Sequence, residues 1–193
     1  TERDWSSDVC SSDLVVVPLN HTLPAELLRR TLKTAKVQQV VTSRAYQQAL
    51  AEAHIDLTAL LQGQSVFYLE DLAAGAPTWR RLLTAAQLTL LPAAWFYRLH
   101  GKVVDASAPA AILLNHGDDR APEAVVLSHR NIMANSKQMS DVMNTRLDDV
   151  IVSCVPLYHP LGFTLTTIMP LVEGIPIACH ADPVDALGIA KMV

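Results

Sequence analysis

Residues 110–131 read AAILLNHGDDRAPEAVVLSHRN, and the fold turns on how this stretch is divided. Ala110–Asn115 is an apolar run of strand length. His116 to Glu123 is polar and contains Gly117 and Pro122, and Ala124–Leu127 resumes the apolar pattern. Ser128 follows at the position an N-cap occupies, opening a helix from His129 to about Met143 that is expected to turn Ile132, Met139 and Met143 inward.

Outward from this strand, loop, strand and helix, the same alternation recurs. Upstream, Val15–Leu19 reads as a buried strand, and Pro24–Ala35 as a helix with Leu27, Leu28, Leu32 and Ala35 on one face. Val37–Thr42 is a strand, Ser43 caps a helix running through Leu50, and Val66–Leu69 is a further strand ending at Glu70 and Asp71. Downstream, Val150–Val155 is a strand, Leu161–Leu171 an apolar helix, and Ile175–Cys179 a strand after the turn at Glu173 and Gly174. Short apolar runs alternating with segments of helical period imply an α/β domain with a mostly parallel sheet and flanking helices.

The 193 residues are half apolar, enough for a substantial core. A formal net charge of −4 provides no basic footprint, so nucleic-acid binding is excluded as an expectation. Cys10, Cys154 and Cys179 are an odd number without a CxxC pair, which fits neither a disulfide framework nor a zinc site and suits a reducing cytoplasm. The two later cysteines sit in apolar strands and read as small core residues. The histidines lack metal-ligand spacing, so no metal site is expected. No signal-peptide order and no uninterrupted apolar stretch of spanning length is present.

Two segments stand apart. Asp4–Leu14 (DWSSDVCSSDL) is, codon by codon, the translation of a sequencing-library adapter, so residues 1–14 are set aside as a scar and 15–193 taken as part of one domain. Trp79–His100 is rich in Leu, Ala and aromatics, carries Arg80, Arg81 and Arg98, and is interrupted by Pro92, which implies two short amphipathic helices. They either pack on the domain or lie on a membrane surface with Trp95, Phe96 and Tyr97 at the interface, a peripheral contact at the inner membrane of a bacterium.

In order and spacing, the loop with Gly117 and Pro122, then Val125–Asn131, then Pro156-Leu157-Tyr158-His159-Pro160-Leu161-Gly162 resemble the AMP-binding family of acyl-adenylate-forming enzymes. The elements Val17–Thr22, Val41–Arg44 and Tyr68–Asp71 are most similar to its acyl-carrier-protein synthetase, or 2-acylglycerophosphoethanolamine acyltransferase, branch of fatty-acid and phospholipid metabolism. The resemblance implies the large N-terminal domain of a ligase, present here without its C-terminal part. The implied chemistry has two steps: a carboxylate attacks the α-phosphate of Mg-ATP to give an acyl-adenylate and pyrophosphate, and a thiol of CoA or an acyl-carrier protein then takes the acyl group. The family's loop of hydroxyls, glycines and a lysine wraps the phosphates, because hydroxyl and backbone N–H groups donate to phosphate oxygens and a cation offsets their charge.

Here the nucleotide-binding positions are occupied by Asn115, His116, Gly117, Asp118, Asp119, Arg120 and Glu123. Asn115 and His116 replace the leading Thr and Ser, Asp118 a hydroxyl, Arg120 the second glycine, Glu123 the lysine and Ala124 the glycine after it. From His116 to Ala124, one positive charge (Arg120) stands against three negative (Asp118, Asp119, Glu123), a formal −2. Each misplaced unit charge about 5 Å from a phosphate costs on the order of 3 kcal/mol at an effective dielectric near 20, more than a hundredfold in affinity. By resemblance, His159 and Gly162 line the acyl pocket, whereas His129 serves the start of its helix. No residue of the chain is expected to be catalytic. The chain is thus expected to be a fragment of an acyl-activating ligase, inactive as it stands; the alternative is a non-catalytic homologue acting as a binding or regulatory module of a lipid-metabolism protein.

Overall fold

The computed structural model describes residues 14–53, 55, 56, 61–100, 105–115, 123–180 and 182–192. Their contacts divide them into two compact units, one within His21–Val104 and one made of Val15–Asn20 with Asp105–Val193.

In the first unit, helix α1 (Ala25–Thr34) starts directly after Pro24 and buries Leu28, Thr31 and Leu32, the stripe its spacing implied. Strand β1 (Gln39–Thr42) pairs in parallel with β2 (Ser65–Tyr68), in register from Gln39 opposite Ser65 to Thr42 opposite Tyr68. Helix α2 (Arg44–Glu52) leaves β1 under a cap, with Ser43 Oγ accepting from the Tyr46 N–H at 3.1 Å. Helix α3 (Leu69–Gly75) leaves β2 directly, so Leu69 opens a helix instead of ending a strand. Glu70 and Asp71 then lie in its first turn, where the helix dipole favours carboxylates.

Those carboxylates tie the two helix starts together. The Arg44 guanidinium donates to both oxygens of Asp71 at 2.9 and 2.7 Å, and the Arg44 backbone N–H donates to Glu70 Oε1 at 2.9 Å. The same guanidinium stands 4.6 Å from the Tyr68 ring centroid. Pro92 divides the next stretch into α4 (Thr78–Leu90) and α5 (Ala93–His100), as its missing N–H requires. The Gln87 amide oxygen and His100 Nε2 are 2.9 Å apart, joining the two helices.

In the second unit, β3 (Pro109–Asn115) and β4 (Glu123–Ser128) form an antiparallel pair whose last registered residues are Asn115 and Glu123. On its other side β3 accepts only a single parallel bridge, from Val16 to Ala111, so the strand expected over Val15–Leu19 reduces to one rung. Helix α6 (His129–Met143) begins with a capping box: Ser128 Oγ accepts from the Asn131 N–H at 3.2 Å, and Asn131 Oδ1 accepts from the Ser128 N–H at 3.0 Å. It buries Ile132, Ser136 and Ser140. Met139 is half-buried and Met143, expected inside, is 47% exposed at the last residue of the helix, the buried positions following the i+4 row of 132, 136 and 140.

Strand β5 (Ile151–Ser153) pairs in parallel with β6 (Ile177–Cys179). Cys154 lies just past β5 and is half-buried, and Cys179 ends β6 in an exposed position, so neither is a core residue. A continuous helical segment connects them: α7 (Pro160–Phe163), a π-helical turn (Thr164–Ile168) and α8 (Met169–Glu173). Pro170 has no N–H to give back to the preceding turn, and Met169 N–H reaches Thr164 five residues earlier, so the ladder widens where the proline enters. Gly174 ends the helix at φ 73°, a conformation that favours glycine. A short helix, α9 (Ala186–Ala190), follows β6. Ala111 and Leu113 of β3, Ile132 of α6 and Phe163 of α7 form the core of this unit, with Ala110, Leu127 and Ile168 packed around them. Among the described residues no helix is long and apolar enough to cross a membrane.

Candidate functional site

The β3–β4 hairpin sets the mouth of the expected phosphate loop. His116, Gly117, Asp118, Asp119 and Arg120 lie outside the described residues, as does the side chain of Asn115. The two ends of the loop are fixed: the backbones of Asn115 and Glu123 face each other as the final pair of the ladder, and Glu123 is exposed. Glu123 is therefore at the mouth of the expected loop, the position where the resemblance implies a lysine. Behind it, Ser128 and Asn131 fix the direction in which the chain enters α6.

His159 caps the helix that follows it. Its Nδ1 accepts from the Leu161 N–H at 3.2 Å, which in the neutral ring leaves the proton on Nε2. The residue is exposed. Gly162, by contrast, is buried. A Cβ there would collide with the Pro156 carbonyl oxygen and come within 2.7 Å of that of Val155, so the residue exists to let two backbones approach. Its carbonyl accepts from Thr166 Oγ1 at 3.0 Å and Thr167 Oγ1 at 2.9 Å, and Thr166 Oγ1 also lies 3.0 Å from Ser153 Oγ of β5. Gly162 thus has a packing role, and Thr166, which no pattern in the sequence singles out, locks the π turn to the sheet. The one available signal was Pro170 inside an apolar helical run.

Phe163, next to Gly162, shares the core with Ala111 and Leu113 of β3. The strand that leads into the loop and the helix that follows His159 thus belong to one packed body. Between β4, α6 and the π turn runs an open groove of about 510 Å³, lined by Val126, Leu127, Ile132, Asn135, Gln138 and Thr164 among others. His129 does not cap α6. Ser128 does so, while the His129 backbone N–H donates to the Ala108 carbonyl at 3.2 Å and its Nε2 is buried without a partner among the described residues. No group of three or more His, Cys, Asp or Glu placed to hold a metal occurs among the described residues.

The family model for AMP-binding enzymes matches residues 9–192, and the chain belongs to that family. It is 28% identical over 165 residues to the sulfoacetate–CoA ligase of Cupriavidus necator, covering 83% of this chain. It is 38% identical over 79 residues to a putative fatty-acid–CoA ligase, FadD21, of Mycobacterium tuberculosis, covering 38% of this chain. The chain spans only 29% and 14% of the lengths of those two relatives. Among solved structures, ATP-bound MatB of Rhodopseudomonas palustris superposes with a TM-score of 0.63 at 21% identity, covering 92% of this chain and 32% of that one. The o-succinylbenzoate CoA synthetase of Bacillus subtilis with its acyl-adenylate intermediate gives 0.62 at 14%, covering 92% and 40%. The fold is accordingly that of part of the N-terminal domain of adenylate-forming enzymes.

Proposed function

We propose that this chain is the phosphate-loop and acyl-pocket portion of an acyl-activating ligase in which the acyl side is kept and the ATP side is weakened. The observation that carries the reading is the family match over residues 9–192, a range that includes both the hairpin and the His159 segment. The acceptor is a carrier thiol, of CoA or of an acyl-carrier protein. The named CoA ligases among the relatives support the first, and the elements at Val17–Thr22, Val41–Arg44 and Tyr68–Asp71 support the second. The donor set does not fit a triphosphate with Mg in the family's manner: Glu123 stands exposed at the mouth of the loop, Asp118 and Asp119 fall inside it, and Gly117 is its only glycine. His159, with its Nε2–H, is the group available to donate to an acyl carboxylate or its adenylate.

The −2 loop favours a second reading, a non-catalytic homologue that binds an acyl group or its carrier without activating it. Pyrophosphate exchange by the complete protein with a panel of fatty acids separates the two. Turnover at saturating Mg-ATP supports the ligase, acyl binding without turnover supports the homologue, and failure of both to appear removes the acyl reading altogether.

A further inference from the structure

Helix α4 carries Trp79, Leu82, Leu83, Ala86 and Leu90 at spacings that place all five on one face, and that face is open. Trp79 is 60%, Leu82 67%, Leu83 50% and Leu90 79% exposed, and α4 buries no residue at all. Helix α5, joined to it through Gln87 and His100, adds Trp95 at 62% and Leu99 at 63%, one turn apart. Phe96 instead stacks on His100 with ring centroids 4.7 Å apart, and the side chain of Tyr97 falls outside the described residues.

The charge beside this stripe is of one sign. Residues 79–100 contain Arg80, Arg81 and Arg98 and no Asp or Glu, in a chain with 15 basic and 19 acidic residues overall. Among the described residues none of the three arginines forms an ion pair, and Arg80 instead lies 5.4 Å from the ring centroid of Trp79. We infer that the α4–α5 hairpin is a docking surface for an anionic lipid bilayer, with the indoles and leucines entering the headgroup boundary and the guanidinium groups at the height of the phosphates. Both the gradient from apolar face to arginine flank and the absence of any carboxylate match that surface. Each helix is too short to span it. The inference does not depend on acyl activation and stands or falls separately from it.

The test is flotation of the complete protein with vesicles of phosphatidylcholine alone and with added phosphatidylglycerol. Binding should appear with the anionic vesicles and weaken at high salt. Trp79→Ser with Leu82→Ser and Trp95→Ser should reduce partitioning about tenfold or more, and each Arg→Gln about fivefold. Because these positions are exposed, the far-ultraviolet dichroism and melting of the variants should match the parent. Flotation that is absent, or indifferent to these substitutions, overturns the proposal. So does protection of Trp79 and Trp95 from acrylamide quenching in the lipid-free complete protein, read as the difference from Trp79→Phe with Trp95→Phe, because it would show the stripe already covered by the rest of the protein.

Discussion

Helices α6 and α4 are similar in length, 15 and 13 residues, and both are amphipathic, yet the chain treats them differently. Helix α6 starts in a capping box and presses Ile132, Ser136 and Ser140 against a sheet that the neighbouring residues have just built. Helix α4 has no side-chain cap and turns Trp79, Leu82 and Leu90 to solvent. Amphipathic period alone says that a face needs a partner; local caps and an adjoining hairpin decide whether the chain itself supplies one. The hairpin and the His159 segment thus pack on one another within the chain, whereas α4 and α5 leave an apolar face exposed among the described residues.

Substitutions should expose this difference, with the largest effect where two backbones touch. Gly162→Ala drives a Cβ into the Val155 and Pro156 carbonyls and should destabilise the chain by roughly 3 kcal/mol, read as a fall in the urea midpoint. Ser128→Ala removes the cap of α6 and should cost about 1 kcal/mol in the same measurement. Trp79→Ser in α4 should lie within about 0.5 kcal/mol of the parent, since an exposed side chain leaves no cavity; a loss as large as that of Ser128→Ala would show that the two helices are alike after all.

The smallest effect belongs to the exposed Arg44–Asp71 pair. The guanidinium hydrogen bonds hold the Asp71 carboxyl below its usual value of 3.8. A depressed folded pKa stabilises above the unfolded value and stops doing so as pH falls through the folded one. The melting temperatures of the parent and of Asp71→Asn should therefore differ slightly at neutral pH and converge in acid below about pH 3.8.

Much of this was legible in the sequence, because the signals were local. Ser43 and Ser128 cap the helices assigned to them, and Pro92 separates α4 from α5. What escaped depends on contacts distant in sequence. Val15–Leu19 is apolar enough for a strand, but among the described residues only Val16 bridges to β3, opposite Ala111, through hydrogen bonds with Ala110 and Ile112. Cys179 sits in an apolar run yet faces outward, since a three-residue strand has too few alternations to reveal its buried side. The π turn arises from Pro170 acting together with hydroxyls that meet the Gly162 carbonyl, a combination no single period encodes. In the candidate site, the composition of the phosphate loop was readable residue by residue. The packing role of Gly162 was not, because it depends on where residues 155 and 156 pass.

Under the proposed function the scaffold around the loop is kept and its grip on phosphate is weakened, which calorimetric titration of the complete protein with Mg-ATP measures. No binding in the micromolar range is expected, with each misplaced charge worth on the order of a hundredfold. Glu123→Lys combined with Asp118→Ser and Arg120→Gly should restore affinity on the intact hairpin. Micromolar binding by the unaltered protein, accompanied by pyrophosphate exchange, would show instead that the phosphates are held by other groups.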